Sequence, residues 1–225
     1  SLTDAQSLFD REKKQFEREI LPKLRSLPKT VKVFDLGCGS GSLIAALKGA
    51  GFTSVSGMDL SEEQVKMAHG MGVSEVMLGD ALQYLRDTAE GFDVITGMDI
   101  IEHFTKDELV ELLQLIQRRL NAGGMAIFRT PNMDAPVASA FALGDFTHEN
   151  YLNASSAAQV MLSCGYQDVA ILPSTMRVQG LFKEIIRRIT YDWLELILKL
   201  QLFATARSTR NILFTPNLII VGCKK

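Results

Sequence analysis

The chain has 225 residues, with 24 Lys or Arg against 26 Asp or Glu, and is 47% hydrophobic. A formal charge of −2 provides no overall basic field for non-specific nucleic-acid binding, and 17 Gly with 6 Pro exclude a collagen-like or low-complexity chain. The length suits one domain, 1–225, with a core that needs no disulfide or metal staple, and the three distant cysteines, Cys38, Cys164 and Cys223, point to a reducing, cytoplasmic setting.

The first 20 or so residues are too charged for a signal peptide. Phe9, Phe16, Ile20 and Leu24 fall on one side of an amphipathic helix within residues 1–27, and Pro22 complicates its end. Such a helix packs on the domain, or closes over a ligand as a lid.

Beyond it, short apolar runs recur: Val31–Leu36, Ser54–Met58, Ser74–Leu78, Phe92–Met98, Met125–Arg129, Gln167–Leu172 and Leu218–Cys223, with helical patterns between most of them. This alternation predicts a parallel sheet covered on both faces. Phe92–Thr96 is nearly all apolar, as a central strand requires. Ser61 with Gln64, and Thr105 with Glu108, have capping-box spacing. The second box opens a helix with Leu109, Leu112, Leu113, Ile116 and Leu120 on one face, expected to stop at Asn121–Gly124.

The first strand runs into Asp35-Leu36-Gly37-Cys38-Gly39-Ser40-Gly41 just before a helix. Glycines there permit positive φ and let a ligand approach bare backbone amides at the helix N-terminus. Asp59 follows Gly37 by 22 positions, past the second strand, where a carboxylate can accept from both hydroxyls of a ribose. A dinucleotide G-x-G-x-x-G is not met, because its third place is Ser42, and the chain has no Tyr-x-x-x-Lys pair.

The D-x-G-x-G-x-G form, with Asp59 after the second strand, resembles the class I S-adenosylmethionine-dependent methyltransferases. In motif order the likeness covers about the first 170 residues. It implies a Rossmann-like α/β fold: a seven-stranded, mostly parallel sheet with helices on both faces and an antiparallel last strand; the apolar stretch 181–204 adds the expectation of a helical insertion (173–215) before that strand. The resemblance also implies S-adenosyl-L-methionine as cofactor. Asp35, Gly37, Cys38, Gly39 and Gly41 would line its methionine portion, Asp59 would hold the ribose and Leu60 would pack on the adenine. Asp80 and Ala81 would meet the adenine edge, although Asp80 also suits a helix N-cap.

After the fourth strand, Met98-Asp99-Ile100-Ile101-Glu102-His103 resembles the acid–His segment of family members that methylate quinones and sugars. The end of that strand borders the crevice, so Met98 and Asp99 are expected near the sulfonium, and Asp99 is a candidate for polarising an acceptor hydroxyl or offsetting the cofactor's charge. Glu102 is expected to orient the loop; His103 is read equally as loop-orienting or catalytic. His148, in the long loop after Thr130-Pro131-Asn132, is the candidate general base, since imidazole titrates near neutral pH. Asp99, Glu102, His103 and His148 could converge on a metal, but no short spacing demands one, and none is assigned.

Residues 181–204 mix Leu, Ile, Phe and Trp193 with Lys and Arg, as expected of a lid, a dimer surface or a peripheral membrane contact; no uncharged run is long enough to span a membrane. The expected activity is methyl transfer to a small-molecule acceptor, foremost an oxygen of a sugar or glycan precursor. Another metabolite, such as a phenol or quinone precursor, is the alternative, as is a non-catalytic cofactor-binding relative. No Asn/Asp-Pro-Pro-aromatic element for a flipped base follows the fourth strand, so nucleic acid is not the expected acceptor. The chain is expected to be a monomer or homodimer.

Overall fold

A computed structural model describes residues 2–210 and 212–225; Ser1 and Asn211, which fall within the expected N-terminal helix and the insertion, lie outside the described residues. The strands are β1 (Lys32–Leu36), β2 (Ser54–Asp59), β3 (Val76–Leu78), β4 (Phe92–Met98), β5 (Leu120–Pro131), β6 (Gln167–Pro173) and β7 (Asn217–Cys223). They form one sheet in the order β3-β2-β1-β4-β5-β7-β6. β7 is antiparallel to both neighbours, and the pairings from β3 to β5 are parallel. The chain reverses its direction of travel across the sheet between β1 and β4, which opens a crevice at the carboxyl ends of these two strands.

The helices are α1 (Leu2–Glu19), α2 (Leu21–Leu24), α3 (Ser42–Gly49), α4 (Glu62–Gly70), α5 (Ala81–Asp87), α6 (Lys106–Arg119), α7 (Ala138–Ala142), α8 (Ala154–Ser163) and α9 (Leu181–Ala204). Two apolar layers cover the sheet. One is built on Phe34, Phe92, Phe128, Leu112, Ile116 and Tyr166; the other includes Val33, Ile44, Leu47, Val94, Ile127 and Ile219. The expected apolar face is buried in the second layer: Phe9 and Phe16 of α1, Ile20 after it and Leu24 of α2 are all buried. At roughly 1.5–3 kcal/mol for each such side chain, this burial holds α1 on the domain. Pro22 falls in the first turn of α2, so the N-terminal segment breaks at Ile20.

The cap of α6 is complete: Thr105 accepts from the Glu108 amide, and the Glu108 side chain accepts from the Thr105 amide. At α4 the Ser61 hydroxyl accepts from the Gln64 amide. The end of α6 differs from expectation. The helix finishes at Arg119, and Asn121–Gly124 already belong to β5, where Gly123 sits at φ 76°. The Gly123 amide donates to the Lys224 carbonyl, and Lys224 donates back to Gly124. The glycines therefore bend a strand against the C-terminal segment instead of capping a helix.

Candidate active site

The turn after β1 has Gly37, Gly39 and Gly41 at φ 59°, 51° and 77°. Its amides are not bare. Cys38 donates to the Met58 carbonyl at 3.1 Å, Gly41 to the Cys38 carbonyl at 2.9 Å, and Gly39 to Asp59 Oδ2 at 2.7 Å. This corrects the expectation of free donors: the turn folds back on the end of β2, and its hydrogen bonds fix its shape. What the glycines leave open is space. A Cβ on Gly39 would meet nothing closer than Gln64 Oε1 at 3.8 Å, whereas one on Gly41 would lie 2.9 Å from Val73 Cγ1. A side chain at Gly41 is excluded by packing, whereas the face of Gly39 is open.

Above Gly39 lies a cavity of about 540 Å³. Its wall includes Asp35, Gly37, Cys38, Met98, Asp99 and Arg129 from the sheet side, with Phe9, Glu12 and Phe16 from α1 opposite. Glu12 also accepts from the Ser42 hydroxyl at 3.2 Å. Helix α1 thus supplies a wall of the cavity as well as packing on the domain.

Asp35 is buried, with the Thr96 hydroxyl donating to its Oδ1 at 2.7 Å. Burial is the main reason its pKa is pushed up to about 7; the Thr96 hydrogen bond opposes the rise, and the charge of Asp59 adds to it. Asp59 is half-buried at the end of β2, and its Oδ1 accepts from the Ser61 amide at 2.9 Å. Each Asp59 oxygen therefore has one protein donor and a further lone pair. Leu60 beside it is 74% exposed, an open apolar platform. Asp80 is the N-cap of α5: its Oδ1 accepts from the Leu82 and Gln83 amides at 2.8 and 3.1 Å. The capping role is thereby present, and Ala81 opens the helix.

Asp99 follows β4 at φ 53°. Its amide donates to the Arg129 carbonyl, and both its oxygens receive Arg129 Nε at 2.9 and 3.0 Å. Arg129 is buried; its Nη1 reaches Glu19 Oε2 at 3.4 Å, and its guanidinium lies 4.8 Å from the Phe16 ring centroid. Glu19 Oε1 in turn accepts from the Thr175 amide at 2.7 Å. This changes the role expected of Asp99: a carboxylate held on both oxygens by a guanidinium is an anchor, not a proton acceptor. The sequence pattern singles out neither Glu19 nor Arg129; its one signal is an Arg closing the otherwise apolar run Met125–Arg129.

Glu102 and His103 occupy a single 3-10 turn, Ile101–His103. The Glu102 carbonyl accepts from the Glu149 and Asn150 amides at 2.8 and 3.0 Å, so Glu102 does orient the loop. Its carboxyl group does more. It is buried, its Oε2 has no hydrogen-bond partner among the described residues, and burial, reinforced by the charge of Asp99, pushes its pKa up to about 7. His103 and His148 meet edge-on, with centroids 4.8 Å apart. His148 Nδ1 is 2.8 Å from the Ala142 carbonyl, which can only accept, so Nδ1 carries the proton and Nε2 keeps its lone pair. Thr147 donates its hydroxyl hydrogen to Asp145 at 2.7 Å and therefore accepts from His103 Nδ1 at 2.9 Å; the lone pair of His103 is on Nε2 as well.

Donor atoms of Glu102, His103 and His148 all lie within 4.8 Å of one another. Two imidazoles and an orphaned buried carboxyl oxygen fit a divalent cation such as Zn²⁺ or Mn²⁺. The fold therefore assembles three of the four residues that could converge and turns Asp99 away to Arg129. His103 and His148 do not line the cavity over Gly39.

A family model described as "Methyltransferase domain" matches residues 8–171. The chain is 31% identical over 185 residues to the ubiquinone biosynthesis O-methyltransferase of Thiobacillus denitrificans, covering 76% of this chain and 72% of that protein. To the protein of the same name from Sinorhizobium medicae it is 29% identical, spanning 64% of this chain and 56% of the relative. Among solved structures, an S-adenosylmethionine-dependent methyltransferase from Archaeoglobus fulgidus superposes with a TM-score of 0.71 at 20% identity, over 96% of this chain and 94% of that one.

Proposed function

The chain belongs to the class I S-adenosylmethionine-dependent methyltransferases, and from that premise we propose that it methylates a hydroxyl oxygen on the aromatic ring of a small acceptor. The observation that carries the choice of acceptor is the likeness to O-methyltransferases of ubiquinone biosynthesis, which extends over 72% of the Thiobacillus protein's length. A sugar or glycan acceptor, the foremost expectation from the sequence, has no support in these relatives and is set aside. A phenolic hydroxyl is also the more acidic group and needs a weaker base.

The residues present fit the cofactor. The face over Gly39 is open, the cavity beside it is large, and Asp59 retains lone pairs while its position is fixed by two amides. When bound, S-adenosylmethionine supplies an electrophilic methyl group on a sulfonium. In our reading Asp59 accepts from the ribose hydroxyls, and Leu60 and Ala81 flank the adenine, with Asp80 at its amino edge. Gly37, Cys38 and Gly41 shape the turn against the methionine portion, and Asp35 and Met98 border it. Phe9 and Phe16 exclude water from that side, which strengthens every charge interaction within. The Asp99–Arg129 pair holds the ends of β4 and β5 in register at the transfer point.

The acceptor proton goes to Nε2 of His148, whose ring is oriented by its bond to Ala142. Glu102 and His103 support that position; with His148 Nε2 serving as a ligand instead of a proton acceptor, the three would hold a divalent cation, which would polarise an acceptor hydroxyl.

The test is incubation of the full chain with radiolabelled S-adenosylmethionine and a panel of catechols, simple phenols and nucleotide sugars. Label is expected in the methyl ethers of catechols or phenols. Transfer to nucleotide sugars with none to the aromatic hydroxyls would overturn the proposed acceptor.

A further inference from the structure

Helix α9 turns its apolar side outward. Its less exposed positions, Glu184, Arg187, Tyr191, Glu195, Leu198 and Leu202, recur at spacings of three and four and mark its inner face. On the opposite side Phe182, Ile189, Trp193 and Phe203 are 75%, 54%, 62% and 79% exposed. A helix whose only task is to pack on its own domain has the reverse polarity. The apolar surface continues onto the loop after β5: a cavity of about 250 Å³, lined mostly by apolar side chains, joins Val137 and Phe141, both exposed, to Tyr191 and Leu194 of α9.

We propose that α9 lies in the surface of an anionic lipid membrane, with Ile189, Trp193 and Leu196 among the acyl chains. The occupant is chosen by charge. Residues 177–210 contain seven basic and three acidic side chains, whereas the whole chain has a net charge of −2. Glu184 is engaged by Arg187 and Arg188, and Glu195 by Lys199, which leaves Arg177, Lys183, Arg207 and Arg210 against Asp192. Lys183 sits at the edge of the apolar face, where its aliphatic stem can follow the hydrocarbon while the charge reaches headgroups. A two-fold dimer through α9 would instead set this basic stretch against itself. No helix among the described residues is long and apolar enough to cross a membrane, so α9 lies in the plane.

Trp193 is the only tryptophan and serves as the probe. The full chain is mixed with vesicles of phosphatidylcholine alone or of equal parts phosphatidylcholine and phosphatidylglycerol. Co-sedimentation with the anionic vesicles, weakened by salt and accompanied by a blue shift of Trp193 emission, is the expected result. Ile189→Asp combined with Leu196→Asp should lower partitioning by about tenfold or more, while calorimetric uptake of S-adenosylhomocysteine confirms that the variant is folded. Three outcomes overturn the proposal. One is absence of binding to anionic vesicles. Another is binding that the double variant leaves intact. The last is a Trp193 blue shift that tracks protein concentration without lipid, with dimers in the ultracentrifuge, which would make α9 a subunit interface.

Discussion

Arg129 Nε lies 2.9 Å from Oδ1 and 3.0 Å from Oδ2 of Asp99, so the carboxylate that ends β4 is fastened to the neighbouring strand. The same guanidinium reaches the buried Glu19 of α1. One cation thus ties the cavity's floor to its α1 wall. Arg129→Met would take the guanidinium from the buried Glu19 and leave it only the Gln15 and Thr175 donors, and is expected to lower stability by about 3 kcal/mol. Asp99→Asn, which keeps a hydrogen-bond acceptor at the surface end of the pair, should cost no more than about 1 kcal/mol. Urea unfolding of both variants checks the order; equal losses would show that Glu19 does not depend on Arg129.

Gly39 and Gly41 should respond differently to alanine. Both are at positive φ, so each substitution carries a strain of roughly 1 kcal/mol. At Gly41 the new methyl also meets Val73 and Val76, and the fold is expected to lose further stability. At Gly39 the methyl enters the open space over the turn. Gly39→Ala should therefore melt near the parent temperature yet take up S-adenosylhomocysteine at least ~10-fold more weakly. Scanning and titration calorimetry on the pair separate the two effects.

Asp59→Ala removes both the proposed ribose acceptor and the partner of the Gly39 amide. Its affinity for S-adenosylhomocysteine is expected to fall about 100-fold, in keeping with the loss of charge-assisted hydrogen bonds worth ~1.5–3 kcal/mol. Asp59→Asn, which still offers one oxygen, should fall between variant and parent. An unchanged dissociation constant in titration calorimetry would remove Asp59 from the cofactor site.

His148→Ala is expected to lower kcat on an aromatic acceptor by ~10²–10³-fold, the scale of a lost general base. Asp99→Asn should stay within about tenfold, as befits an anchor whose charge is satisfied by Arg129. Cofactor uptake by His148→Ala should be unchanged, because His148 is not in the cavity wall. A rate left intact by His148→Ala would reassign the proton acceptor.

Stability should depend on pH through Asp35. Its folded pKa is about 7, whereas the ordinary carboxylate value governs the unfolded chain. Between about pH 4 and 7 the folded state therefore binds more protons than the unfolded one, and unfolding free energy falls as pH rises through that window. Glu102, also raised to about 7, acts in the same direction. Asp35→Asn should flatten the decline and recover on the order of 2 kcal/mol at pH 8 relative to the parent. Urea midpoints at pH 5 and pH 8 provide the comparison, and identical slopes would refute the assignment.

Much of the architecture was legible along the chain. Seven apolar runs mark seven strands, and the Phe9–Leu24 stripe identifies the buried face of the N-terminal helix, because side-chain periodicity directly reports which face meets the core. Asn121–Gly124 misled, since a glycine pair that permits a helix cap also permits a bent strand, and only pairing with the Lys224 segment selects the latter.

The proposed cofactor half of the site was written in contiguous sequence: Asp35 lies in β1, Gly37 to Gly41 form the turn after it, and Asp59 ends the adjacent strand, so backbone geometry alone brings them together. The rest was decided by tertiary structure. Arg129 meets Asp99 and Glu19 across 30 and 110 positions, and His148 returns to Glu102 and His103 through a loop whose path no local pattern specifies. The outward turn of α9 is of the same kind: amphipathic spacing reveals that a helix has two faces, while only its packing determines which one meets water.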